Sequence, residues 1–121
     1  MTFSPALVVL YVADVARGRA FYEPIFGAPL EASEKFAMFA TPAGARLALW
    51  AVDKATPPAK LAAGGFELCS GMSESAVDAL HATWSARGVA IAAPPARAEF
   101  GYSFVALDPD GHRLRALAPT S

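Results

Sequence analysis

Side chains able to move a proton, attack an electrophile or hold a metal ion are scarce in this chain. The histidines are His81 and His112, and the cysteine is Cys69. His112 follows the turn glycine of "DPDGHRLRAL" and reads as a solvated turn residue, while His81 sits midway along a helical stretch and reads as a surface or packing residue. Cys69 lies in the apolar "FELCSG" and reads as a small buried hydrophobe rather than a reactive thiol. A histidine-based general base or metal site is hard to build from this set. The charged residue that stands out is Arg115. The stretch "TPAGARLALW" at 41–50 recurs as "DPDGHRLRAL" at 108–117, with Pro42, Gly44, Arg46 and Leu47 matched by Pro109, Gly111, Arg113 and Leu114, and Ala48 replaced by Arg115. A guanidinium there could hold a carboxylate or phenolate with charge-assisted hydrogen bonds. Trp50, two residues past Ala48 and so on the same strand face, offers a flat platform for stacking. This is the chemistry of recognition, and nothing in it activates water or a nucleophile.

The elements that carry these residues are written twice. "ALVVLYVADV" is a valine-rich strand, followed by a helix over "DVARGRAFYEPIFG" with Asp14 as N-cap and Gly27 closing it. A short strand at Pro29 to Glu31 precedes "EKFAMFA" and "ARLALWAV", two strands joined by the turn from Pro42 to Gly44. The second half repeats the order: "GGFELCSGM" as a strand, "SESAVDALHATWSARG" as a helix ending at Gly88, "VAIAAP" as a strand, then "GYSFVAL" and "HRLRAL" as a hairpin turned at Pro109 to Gly111. Module one covers 1–52, a proline- and glycine-containing linker covers 53–64, and module two covers 65–121, together one domain. Each module alone has an open sheet face, and pairing the two faces around a concave space would bury them and create a pocket. The fold class expected is α+β: two tandem βαβββ modules forming a cupped, barrel-like mixed sheet with the helices outside.

Composition narrows the function classes. At 121 residues, 55% hydrophobic and 17% charged, the chain can bury a core without staples, and its apolar runs are too short to span a bilayer. A formal net charge of -1 without a basic cluster excludes nucleic acid as an expected partner. The single cysteine and the lack of a leader-like opening give the cytoplasm as the expected location and no membrane partner.

Paired modules of this order, with "YVADVARGRAFYEPIFG" at the front and "DPDGHRLRAL" at the back, resemble the glyoxalase, bleomycin-resistance and extradiol-dioxygenase superfamily, the vicinal oxygen chelate fold. Within it, the chain is most similar to small antibiotic-sequestering members of the phenazine-resistance type. Enzymes of the superfamily place metal ligands on the first and last strand of each module. The resemblance puts those positions at Leu7, Ala48, Glu67 and Arg115. Leucine and alanine carry no donor, arginine is a fixed cation, and Glu67 alone is too few for a divalent ion. Glu67 and Arg115 are expected instead as a cross-strand ion pair, serving structure, ligand contact or both.

Two-residue hairpin turns would put Leu7, Val9, Tyr11, Ala37, Phe39, Ala48 and Trp50 on the cleft face of module one. In module two they would put Cys69, Phe100, Tyr102 and Phe104 beside Arg115 and Leu117. Phe36, Met38, Leu47, Leu49, Val105, Leu107 and Leu114 would then pack under the helices. The expected ligand-binding set is therefore Trp50, Arg115, Glu67, Tyr102, Phe104, Phe39, Leu7 and Tyr11, with no catalytic residue, no metal and no cofactor. The function expected is metal-free sequestration of a small planar aromatic compound by a homodimer. The alternative is a metal-dependent lyase, isomerase or dioxygenase of the same superfamily, or an enzyme using Glu67 as a base.

Overall fold

A computed structural model describes residues 2–120. The chain divides into two compact units, 1–61 and 62–121, each built from one helix and one four-stranded mixed sheet. The α+β class and the repeated βαβββ order are both present. Among the described residues no helix is long and apolar enough to cross a membrane.

In the first unit β1 (Leu7–Val12) leads through Asp14 into α1 (Val15–Phe26), followed by β2 (Glu31–Ala32), β3 (Phe36–Ala40) and β4 (Arg46–Ala51). The Asp14 carboxylate accepts the Ala16 N–H at 2.9 Å, satisfying one of the helix's orphan donors. At the other end Gly27 takes φ 87° and donates its N–H to the Glu23 carbonyl. The sheet order is β1-β4-β3-β2, with β1 parallel to β4 and the other pairs antiparallel. A short helical turn, Val52–Lys54, follows β4. The second unit repeats this with β5 (Glu67–Gly71), α2 (Glu74–Ala86), β6 (Ala90–Ala98), β7 (Gly101–Leu107) and β8 (Arg113–Pro119) in the order β5-β8-β7-β6. Ser73 caps α2 by accepting the Ala76 N–H.

Each helix covers one face of its own sheet. In the first unit Leu10, Val12, Leu47, Leu49, Ala37 and Phe39 lie under α1, where Phe39 meets Tyr22 and Phe26 with ring centroids 6.5 and 6.3 Å apart. Gly18 lets α1 come close: a Cβ there would stand 2.8 Å from Leu49 Cδ1. In the second unit Phe104 fills the same layer, edge-on to Trp84 at 5.8 Å and to His81 at 5.3 Å.

The register corrects the expected faces of β3 and β7. Ala40 pairs with Arg46 and Leu107 with Arg113, so both turns, 41–45 and 108–112, span five residues instead of two. Changing the loop from an even to an odd count moves every side chain of the preceding strand to the opposite face. Phe39, Tyr102 and Phe104, expected on the cleft face, therefore lie on the helix side, and Phe39 and Phe104 are fully buried there. Ala37 likewise lies on the helix side, and Phe36, Met38, Val105 and Leu107 move the other way. The longer turn is held by its own polar groups. Asp108 Oδ1 accepts the N–H of Asp110 at 2.9 Å and of His112 at 2.8 Å, and Gly111 closes the turn at φ 88°. This corrects His112 as well. It is only 5% exposed, with its ring 6.1 Å from Phe66, rather than solvated.

Two boundaries also shift. β2 begins at Glu31 instead of Pro29, and β6 runs through Pro94 and Pro95 to Ala98 instead of stopping at the first proline. β6 is the outer strand of its sheet and its register shifts between Ile91 and Ala96. Prolines are tolerated at such an edge, where a missing N–H breaks no ladder bond.

Candidate functional site

The face of each sheet turned away from its helix carries the residues with binding chemistry. In the second unit, parallel pairing sets Glu67 opposite Arg113 and Cys69 opposite Arg115, and antiparallel pairing sets Val105 opposite Arg115. Alternation along β8 puts Arg113 and Arg115 on this one face. The expected pair forms: Arg115 donates from Nε to Glu67 Oε1 at 2.6 Å and from a terminal nitrogen to Oε2 at 3.3 Å. Its other terminal nitrogen donates to Ser103 Oγ at 2.9 Å, and its guanidinium carbon lies 5.4 Å from the centre of the Phe100 ring. Arg113 approaches the same carboxylate more loosely, with Nε 3.6 Å from Oε2. The hydrogen bond from Arg115, followed by the charges of Arg115 and Arg113, holds the Glu67 carboxyl below its ordinary pKa against the opposing effect of burial. Glu67 in turn raises the Arg115 pKa, chiefly through the same hydrogen bond. Cys69 stands exposed on this face, which corrects its reading as a buried hydrophobe.

In the first unit the corresponding face is aromatic. Trp50 sits opposite Tyr11 on β1 and Phe36 on β3, with ring centroids 6.2 and 6.5 Å away at interplanar angles of 39° and 81°. Leu7 begins the same face and is 41% exposed. Of the expected ligand-binding residues, the structure thus groups Leu7, Tyr11 and Trp50 on one open face and Glu67 with Arg115 on the other. It withdraws Phe39 and Phe104 beneath the helices and turns the half-buried Tyr102 to the helix side, where its hydroxyl donates to Asp78 of α2 at 2.6 Å. Three participants escaped the sequence reading. Phe36 and Ser103 were hidden by the turn-length error. Arg113 was legible, because "RLR" alternation places it on the Arg115 face.

The resemblance implies a divalent metal at Leu7, Ala48, Glu67 and Arg115, and the residues do not fit one. Leu7 pairs with Arg46 as Glu67 pairs with Arg113, and Val9 pairs with Ala48 as Cys69 pairs with Arg115, so the four positions correspond in register. Two of them are hydrocarbon, the third is a guanidinium, and both carboxylate oxygens of the fourth are taken by that guanidinium. No group of three His, Cys, Asp or Glu side chains able to hold a metal occurs among the described residues.

Two tandem βαβββ units, each with a four-stranded mixed sheet and one helix, define a class of duplicated-module proteins. Residues 5–116 match the model of the Glyoxalase/Bleomycin resistance protein/Dioxygenase superfamily, and the chain belongs to that family. A protein of Agrobacterium tumefaciens solved by solution NMR is 38% identical, with a TM-score of 0.89 over 99% of this chain and 100% of its own. The fold is shared with a glyoxalase-related enzyme from Fulvimarina pelagi, at 23% identity and TM-score 0.83 over 95% of this chain and 87% of that one. It is also shared with a glyoxalase/bleomycin resistance protein/dioxygenase from Nocardioides, at 21% identity and TM-score 0.82 over 100% and 86%. No curated protein matches the chain.

Proposed function

We propose that this protein binds and sequesters a small planar aromatic compound without a metal ion, in the manner of the phenazine-resistance members of its superfamily. The observation that carries the reading is the engagement of Glu67 by Arg115. The carboxylate at a metal-ligand position is spent on a guanidinium, so the face is chemically a recognition surface. The ring group of Trp50, Tyr11 and Phe36 supports it by offering a half-buried aromatic edge and face to a flat molecule. Stacking on such a platform contributes about 0.5–1.5 kcal/mol beyond the area it buries. The chain contributes orientation and exclusion of water rather than bond making.

The test is a tryptophan-fluorescence screen of phenazine and related planar aromatics, run together with elemental analysis of protein purified without chelator. Saturable quenching at substoichiometric metal supports the reading. A stoichiometric transition metal overturns it in favour of a metal-dependent lyase, isomerase or dioxygenase. The functional unit we propose is a homodimer in the cytoplasm. Sedimentation velocity at micromolar concentration checks the assembly, and a monomer there contradicts it.

A further inference from the structure

The charges on the open face of the second unit do not balance. Two guanidiniums, Arg113 and Arg115, share one carboxylate, Glu67. Among the described residues, the strands β5, β6, β7 and β8 bring no second acidic side chain to this face. The two arginines are also unequal. Arg115 is the inner one, 19% exposed, with both carboxylate oxygens and the Ser103 hydroxyl as acceptors. Arg113 is the outer one, 40% exposed, and its contact with Glu67 at 3.6 Å is too long for a hydrogen bond. Its Nε is nonetheless buried and finds no acceptor among the described residues. A desolvated N–H without an acceptor is costly unless a ligand supplies one. The planar fork of an arginine matches a carboxylate in two parallel hydrogen bonds. Phe100 lies 51% exposed against the neighbouring Arg115 guanidinium, an apolar surface on the same charged face.

We propose that Arg113 is the anion-reading residue of this protein, taking the carboxylate of an aromatic acid while Glu67 and Ser103 hold Arg115 in place beside it. The inference deepens the proposed function and rests on it: the sequestered compound is a monoanionic aromatic acid. Arg115 is then a positioning residue. It draws the Glu67 carboxylate to itself at 2.6 Å and leaves it 3.6 Å from Arg113, so the two guanidiniums together keep a net positive charge.

Isothermal titration at low salt with 1-naphthoate and its neutral isostere 1-naphthamide tests this. The wild type should prefer the acid by about tenfold or more. Arg113→Met should reduce that preference to within about twofold, and Arg113→Lys should retain part of it, since the ammonium keeps the charge but not the fork. Glu67→Gln/Arg115→Met removes one charge of each sign, leaves no orphaned carboxylate and spares Arg113, so it should keep the preference. Full preference in Arg113→Met, or its loss in the double variant, overturns the assignment. Equal binding of both probes by the wild type overturns the anion site while aromatic binding stands. Binding of neither overturns both.

Discussion

The open faces of the two units share one register and almost none of their chemistry. Along β4 the residues Arg46, Ala48 and Trp50 occupy the places of Arg113, Arg115 and Leu117 along β8. Opposite them, Leu7 and Tyr11 stand where the second unit has Glu67 and Gly71, and Phe36 stands where it has Ser103. The aromatic trio of one face is thus leucine, serine and glycine on the other, and the ion pair of one face is a leucine and an alanine on the other. The helix-facing positions change differently. Ala37 and Phe39 become Phe104 and Ala106, so a phenyl ring moves by one pleat while the layer stays apolar. A core tolerates redistribution of volume. A face without a helix over it is free to change its charge, and here one copy carries aromatic rings and the other carries charges.

The largest expected effect sharpens the helix side of this comparison. Phe104→Ala or Phe39→Ala removes a fully buried ring and should cost about 3–5 kcal/mol of stability in denaturant unfolding. If these residues bound ligand from the open face, affinity would fall instead with little change in stability.

Transplanting the charged pair into the first unit probes the open faces directly. Ala48 is fully buried, so Ala48→Arg should destabilise by about 2 kcal/mol or more. Adding Leu7→Glu should recover part of that loss, with a coupling of about 1 kcal/mol in a double-mutant cycle. Additive losses would show that register alone does not make the pair.

A smaller effect concerns pH. Glu67 has a lowered pKa in the folded state, so its contribution is present above the ordinary carboxylate range, about 4.3, and is lost as pH falls through the depressed value. Glu67→Gln should therefore narrow its stability difference from wild type progressively below about pH 4. A difference that stays constant from pH 7 to pH 2 would remove the pair from the stability account.

Much of this was readable from residue order. The duplicated turn, the caps Asp14 and Gly27 and the two helices follow from local chemistry, and the Glu67–Arg115 pair follows from the ligand positions that the superfamily resemblance implies. The errors arose where two strands must be related through a turn. Whether 108–112 closes in two residues or five depends on Asp108 folding back onto the N–H groups of Asp110 and His112, and that choice decides the face of Phe104 and buries His112. Phe39 was misplaced by the same count at 41–45, where the Thr41 hydroxyl donates to the Ala45 carbonyl. Cys69 was read from its apolar neighbours, but its face is the polar one beside Arg115, which leaves it exposed.

The central claim is that the aromatic face of the first unit is a binding platform, and Trp50 is where it is most exposed to contradiction. In a Trp84→Phe background, where Trp50 is the remaining tryptophan, titration of phenazine should quench fluorescence saturably. Isothermal titration of phenazine against Trp50→Ala should then show affinity reduced by about 2–4 kcal/mol, the loss typical of an aromatic hot spot. Unchanged phenazine affinity in Trp50→Ala would contradict the account.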